Sequence, residues 1–311
     1  MGPHINRRLV FLFLGIAFIL FRTSFAFSEQ IIIDSAAQFD FARSCMENGQ
    51  YEMAVMEFER FIHFFPDNPR VSVCRRLIGT CHMENQRFEA ARKSFFDIIN
   101  SESNSTEVGK ALLFIGESYY RQGISAEADH YFAQVIEKCP HPELKNAALY
   151  RLGWASMQSG KWASASETFG MVEKNSVFHI SALELSKQSL LGEKLPYKRP
   201  ACAGTLAALM PGLGHAYVSR YRDATVAFFL NGLFIWAAAE SFHQGHDVLG
   251  GILTFFEVGW YTGNIYSAVN CAHMHNRKLK NDFRNNLKDQ FDIGFFAAAG
   301  GAVGMALTFQ F

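Results

Sequence analysis

Apolar positions recur along residues 36–190 with a fixed period. Four segments align without a gap: GQYEMAVMEFERFI at 49–62, QRFEAARKSFFDII at 86–99, GISAEADHYFAQVI at 123–136 and GKWASASETFGMVE at 160–173. Each carries an alanine (Ala54, Ala91, Ala128, Ala165) and, four residues on, a phenylalanine (Phe58, Phe95, Phe132, Phe169), every one 37 residues from its counterpart. Positions four apart share a helix face. Ahead of each segment lies a second helical stretch with one small residue in register, Ala42, Gly79, Gly116 or Gly153, and the turn between carries Gly49, Gln86, Gly123 or Gly160. The pattern predicts two helices per unit. The small residue lets the second helix approach closely, and the phenylalanine fills the space between units. One such unit cannot bury its own apolar face, so units must stack into an array.

Past residue 193 the register ends. A linker is expected at 194–200, within LGEKLPYKRPACAG, which holds two prolines and three basic residues. Four apolar stretches follow, at 201–218, 224–242, 248–271 and 291–311. The second is the clearest membrane segment; the third is long enough to span and carries Glu257. The first is interrupted by Pro211, Gly212 and Gly214. A basic amphipathic segment, AHMHNRKLKNDFRNNLKDQ, separates the third from the fourth. The membrane domain is placed at 201–290. The apolar C-terminal segment, 291–311, reads as a Gly/Ala-rich helix, with a strand pair as the alternative.

The first 28 residues have the layout of a signal peptide: Arg7 and Arg8, an apolar run at 9–21, and small residues at Ala26 and Ser28, with cleavage expected after Ser28 and an uncleaved anchor as the alternative. Residues 29–193 are then exported. Lys+Arg and Asp+Glu both number 29, so no net charge points to nucleic acid. The balance hides an excess of acidic residues in 29–193 and of basic residues in 194–311. Six cysteines are present without a C-x-x-C pair, and they are read as small buried residues, with a Cys45–Cys81 bridge as the alternative.

The repeat resembles the tetratricopeptide repeat, in particular the envelope subgroup found in outer-membrane assembly lipoproteins and cell-division coordinator proteins of Gram-negative bacteria. It departs at Ser103 and Val177, where proline is expected, and in lacking a lipid-anchor cysteine. The resemblance implies a tetratricopeptide-like helical solenoid over 29–193; with the apolar stretches that follow, the expected fold is all-α, the solenoid followed by a helical transmembrane domain. The resemblance also implies a groove that binds a protein or peptide partner, and no catalysis. Polar residues on the first helices, Arg43, Arg75, Glu117, Tyr120 and Arg151, are the groove candidates. PGLGHAYVSRYRDA resembles a P-G-x-G-x-x-Y signature of small bacterial membrane domains, on Pro211, Gly212, Gly214 and Tyr217, with Arg220 or Arg222 as the following basic residue.

The interrupted stretch sets the topology. If 201–218 crosses the bilayer, SRYR and NRKLKNDFR both face the cytoplasm and FHQGHD faces the periplasm; if it does not, both basic segments lie with the repeats, against the positive-inside tendency. The crossing arrangement is the expectation, with a broken or re-entrant helix at 201–218 as the alternative form of the first segment. No cofactor or metal site is expected, because His243, His246, His273 and His275 fall on opposite sides of the membrane. Glu257 is the one intramembrane acid, and such a group faces a protein interior or a partner. The expected protein is a non-enzymatic scaffold of the bacterial inner membrane, with its repeats in the periplasm, contacting a protein partner and membrane lipid. The alternatives are a transport or assembly component with a functional Glu257, and an outer-membrane-associated protein, the latter because alternating Met305, Leu307, Phe309 and Phe311 resemble the closing strand of a barrel.

Overall fold

The computed structural model describes residues 34–101 and 105–291 in full, and 293–297 and 303–307 as backbone. The expected signal peptide (Arg7, Arg8 and Ser28 included), Ser103, Phe309 and Phe311 lie outside the described residues. The repeat units fold as helix pairs: α1 (Ser35–Glu47) with α2 (Tyr51–Phe64), α3 (Val71–Glu84) with α4 (Phe88–Ser101), α5 (Ser105–Gln122) with α6 (Ser125–Lys138), and α7 (Pro142–Ser159) with α8 (Trp162–Gly170). A further helix, α9 (His179–Gly192), packs on α8 as the first helix of a fifth unit.

The periodic residues do what their spacing demands. A Cβ added at Gly79 would lie 2.4 Å from the Phe95 ring, at Gly116 2.6 Å from Phe132, and at Gly153 2.6 Å from Phe169. Glycine there is what lets each ring lie against the first helix of its own unit. The alanines and phenylalanines of all four units are buried. Each intervening turn is left-handed, with φ of 74° at Gly49, 58° at Gln86, 79° at Gly123 and 75° at Gly160. The chain closes each one with the same two backbone bonds, for example Gly123 N–H to the Tyr120 carbonyl and Ile124 N–H to the Tyr119 carbonyl. This is the Schellman closure that a left-handed residue permits. First helices touch across units, α3 on α5 and α5 on α7, which sets their row on the inner radius of the solenoid.

The second half is built on two long helices. Helix α12 (Tyr221–His243) is followed by α13 (Asp247–Phe291), which runs 45 residues without a break, about 67 Å at 1.5 Å per residue. They form an antiparallel hairpin: Phe242 meets Gly250, Phe234 stacks on Trp260, and Arg220 reaches Cys271. Before them lie α10 (Pro200–Leu209) and α11 (Leu213–Tyr217).

Two expectations change here. Residues 201–218 do not form one continuous helix. Helix α10 has 10 residues, about 15 Å, half the roughly 30 Å hydrocarbon core. The chain then turns at Met210–Gly212 and α11 comes back, so that Tyr217 hydroxyl accepts from Arg199 N–H at 3.1 Å, beside the start of α10. The stretch folds back on itself as a short helical hairpin. The C-terminal segment is not the helix favoured from its composition. Its backbone forms β1 (Ile293–Ala297) and β2 (Val303–Leu307), paired antiparallel with Phe295 opposite Met305.

Candidate partner face and re-entrant turn

On the inner row the structure brings three of the five groove candidates together. Glu117 of α5 is buried and holds Arg151 of α7, whose Nε donates to its Oε2 at 2.7 Å while Nη2 donates to its Oε1. The Arg151 guanidinium lies 4.9 Å from the centre of the Tyr120 ring. Burial alone would lower the Arg151 pKa; Glu117 beside it reverses that and holds it above the ordinary value. Arg121 adds to the cluster. Its Nε donates to Glu117 and its Nη1 to Glu84 of α3, both at 3.0 Å. Burial lowers its pKa and the two carboxylates more than restore it. The alternation Glu84–Arg121–Glu117–Arg151 thus ties three successive first helices together. Its buried half is a structural tie, and its outer half, Glu84 and Arg121, lies exposed on the surface.

The other two candidates lie elsewhere. Arg43 pairs along its own helix with Glu47 at 3.3 Å and Asp40 at 3.9 Å. Arg75 donates to Ser101 Oγ at 2.9 Å and lines a cleft of about 460 Å³ with Pro66, Asp67, Pro69 and Glu107. Sequence reasoning missed Glu84 and Arg121, although they stand at equivalent positions one period apart and have opposite charge. It also missed Arg76, wholly buried on α3, whose pKa burial lowers against the pull of Glu107 at 3.3 Å on α5.

The Pro-Gly motif makes the re-entrant turn. Gly212 has φ of 89°, and a Cβ there would stand 2.3 Å from the Ala224 carbonyl oxygen at the start of α12. At Gly214 a Cβ would stand 2.2 Å from the Ala203 carbonyl oxygen of α10 and 2.7 Å from Ala268 of α13. Only glycine permits that approach, and it holds α11 against α10 and α13 together. His215 is buried and its Nε2 meets Ser267 Oγ at 3.1 Å. Pro211 sits between the two helices at the turn, with Leu209 beside it 79 % exposed.

The basic residues gather at the other end of the hairpin. Lys198 Nζ lies 4.8 Å from the Tyr217 ring centre, and Arg220 pairs with Asp223. Arg220 and Arg222 flank the start of α12 and are exposed. Lys198 and Asn276 exchange two hydrogen bonds, both 2.8 Å, so the end of the linker and the middle of α13 are clasped. The flanks of the hairpin between this end and the far loop are apolar and uncovered. Val248 is 80 % and Phe255 77 % exposed, with Phe229, Trp236 and Phe256 also exposed. Helix α12 is long and apolar enough to cross a membrane. Glu257 is buried within the hairpin with neither carboxylate oxygen hydrogen-bonded; Tyr261, one turn on, instead donates to the Ala208 carbonyl at 3.0 Å. Among the described residues no group of His, Cys, Asp and Glu could hold a metal, and the six cysteines are free thiols.

The class defined by this architecture is a tetratricopeptide-like helical solenoid joined to an apolar helical hairpin. Residues 110–141 match the family model described as Tetratricopeptide repeat. Among solved structures, a tetratricopeptide repeat protein from Parabacteroides merdae ATCC 43184 is similar at 14% identity and a TM-score of 0.39, over 77% of this chain and 98% of that one. No curated protein matches the sequence. Tetratricopeptide repeats generally mediate protein–protein interaction and are generally non-catalytic.

Proposed function

We propose that this chain is a membrane-anchored scaffold of the bacterial envelope, whose solenoid binds a protein partner and whose α12–α13 hairpin crosses the inner membrane twice. The observation that carries the reading is α13 itself. One unbroken helix begins in the uncovered apolar hairpin and ends with Leu287 buried in the solenoid core. Helix α12 is long and apolar enough to span, and the less apolar first half of α13, paired with it as a hairpin, matches it in length at about 35 Å. The α10–α11 pair packs on α13, and α11 also on α12, which gives this broken helix protein contacts on one side at membrane depth, while Leu209 at its turn faces outward. The solenoid and both basic segments then lie on one side and the loop at Gln244–His246 on the other.

The signal-peptide reading of residues 1–28 favours the periplasm for the solenoid side. The positive-inside tendency pulls the other way, because Lys198, Arg199, Arg220, Arg222, Arg277 and Lys278 share that side. We favour the periplasm, since a leader acts first on the chain, and contact of those cations with anionic headgroups offsets the cost. Affinity capture on the full chain in detergent, compared with a Glu84→Lys/Arg121→Glu variant, tests the scaffold role. A partner held by the parent and lost from the variant supports it; a partner held equally by both moves the binding face away from the Glu84–Arg121 part of the first-helix row.

The second reading is a transport or assembly role for Glu257, favoured by its two unpartnered buried oxygens. Retained function in a Glu257→Gln variant rejects it.

A further inference from the structure

The solenoid's inner face is already occupied at its C-terminal end by the chain's own α13. Beyond the Lys198–Asn276 clasp, the Lys280 side chain lies where a Cβ on Gly160 would be 3.1 Å from its Cδ. Phe283 meets Trp162 edge-on, with ring centres 5.6 Å apart. Leu287 is 5 % exposed, and Phe291 packs on the same core. Tyr150 hydroxyl donates to the Phe291 carbonyl at 3.3 Å. Residue 280 therefore sits beside 160 and residue 291 beside 150, so the end of α13 runs antiparallel to α7. It touches α7 and α9, both first helices, which places it on the inner radius rather than among the second helices. Past it, the backbone of β1 lies against α3, further along the same row.

The docked segment has the form of a peptide ligand. Phe283, Leu287 and Phe291 are four residues apart and share one face. Lys278, Asn285, Asn286 and Lys288 point outward and are exposed. The phenylalanines are only partly buried, unlike the repeat phenylalanines of the solenoid, which are sealed. An amphipathic helix laid into a groove with anchors at such spacing is a recurrent mode of peptide recognition.

We propose that the inner face at α7 and α9 is a helix-binding site held in cis by residues 276–291, and that a partner enters it by exchanging its own amphipathic helix, with large apolar residues at i, i+4 and i+8, for this one. Because α13 is continuous with the hairpin, exchange unpins the solenoid from the membrane, leaving the 193–199 link. This rests on the partner-binding reading and specifies the partner's chemistry.

The test uses the full chain in detergent and a fluorescent synthetic peptide of residues 276–291. The parent is expected to bind it weakly. A Phe283→Asp/Leu287→Asp variant, with its own segment expelled, is expected to bind at least roughly ten-fold tighter. Asn286→Asp, on the exposed face, is expected to match the parent. Leu287→Ala, a milder release, gives an intermediate value and covers the case in which the double variant fails to fold. Equal binding by parent and both release variants overturns the proposal, as does no binding by a folded Leu287→Ala chain. Peptide binding without any captured protein partner would keep this site and reject the scaffold reading. Partner capture indifferent to the release variants would do the reverse.

Discussion

Replacing Gly116 with leucine attacks the contact on which the repeat register depends. Even the first added carbon lands 2.6 Å from Phe132 Cε1 and 2.7 Å from Cδ1. Ordinary carbon contacts lie at about 3.5–4.0 Å, so the ring or the helix must retreat by roughly 1 Å. Phe132 is fully buried, so the retreat disturbs α5 and α6 together. Overpacking of this kind costs about 1–3 kcal/mol, and removing a helix glycine returns up to about 1 kcal/mol. For alanine the two nearly offset. For leucine, with three further carbons to place, the net loss is expected near 2 kcal/mol, which lowers the melting midpoint by about 4–8 °C for a unit of this size. Thermal unfolding of the detergent-solubilised chain, followed by far-UV circular dichroism, measures it. A Phe132→Ala background should recover much of the loss, because the two side chains compete for one space. An unchanged midpoint for Gly116→Leu, or an equal loss with Phe132 removed, would refute the Gly–Phe contact as the register element.

Three further outcomes are expected. Gln86 alone among the four unit turns carries a side chain at positive φ; Gln86→Gly should raise stability by about 1 kcal/mol, and a lower midpoint would show the turn is held by the Gln side chain. Glu117→Ala should cost about 3–5 kcal/mol by leaving Arg151 buried without its partner, whereas Glu117→Met/Arg151→Met should restore most of it; equal losses in the single and double variants would show that the pair, not its imbalance, matters. Burial pushes the Cys74 and Cys81 thiols up to about 12, so at pH 8 a thiolate-directed reagent should modify the half-exposed Cys202 first and these two only on unfolding; their rapid reaction in the native chain would contradict the packing.

The repeat was legible because each feature of it is local. A positive φ at the turn and a ring against a glycine each demand a residue type at a fixed offset, and the 37-residue period repeats the demand. The return of α11 was legible only as an option, a helix broken or turned back at Pro211–Gly214. Apolar composition at 201–218 says only that the stretch is hidden from water, whereas its direction is set by Tyr217 with Arg199 and by Lys198 with Asn276, the latter 78 residues apart. The C-terminal ribbon was misjudged for a related reason: Gly and Ala suit close packing of either helix or strand, and periodicity does not separate them over so short a run. The Glu84–Arg121 tie was missed, although opposite charges at equivalent register positions carried a signal for it. Residues 272–290 read as a basic amphipathic segment, but neither the part played by Phe291 nor the face that receives the segment was read from the sequence.

The central claim is that the solenoid and the base of the hairpin share one side of the membrane while the far loop lies on the other. Single cysteines at Lys93 on the solenoid, Ser219 at the end of α11 and Gln244 in the far loop, in a chain without the six native cysteines, test it with an impermeant thiol reagent on intact and lysed spheroplasts. Lys93→Cys and Ser219→Cys should label together in intact spheroplasts, and Gln244→Cys only after lysis. Ser219→Cys labelling with Gln244→Cys and apart from Lys93→Cys would mean that residues 201–218 do cross, and would contradict the re-entrant hairpin and the anchoring drawn from it.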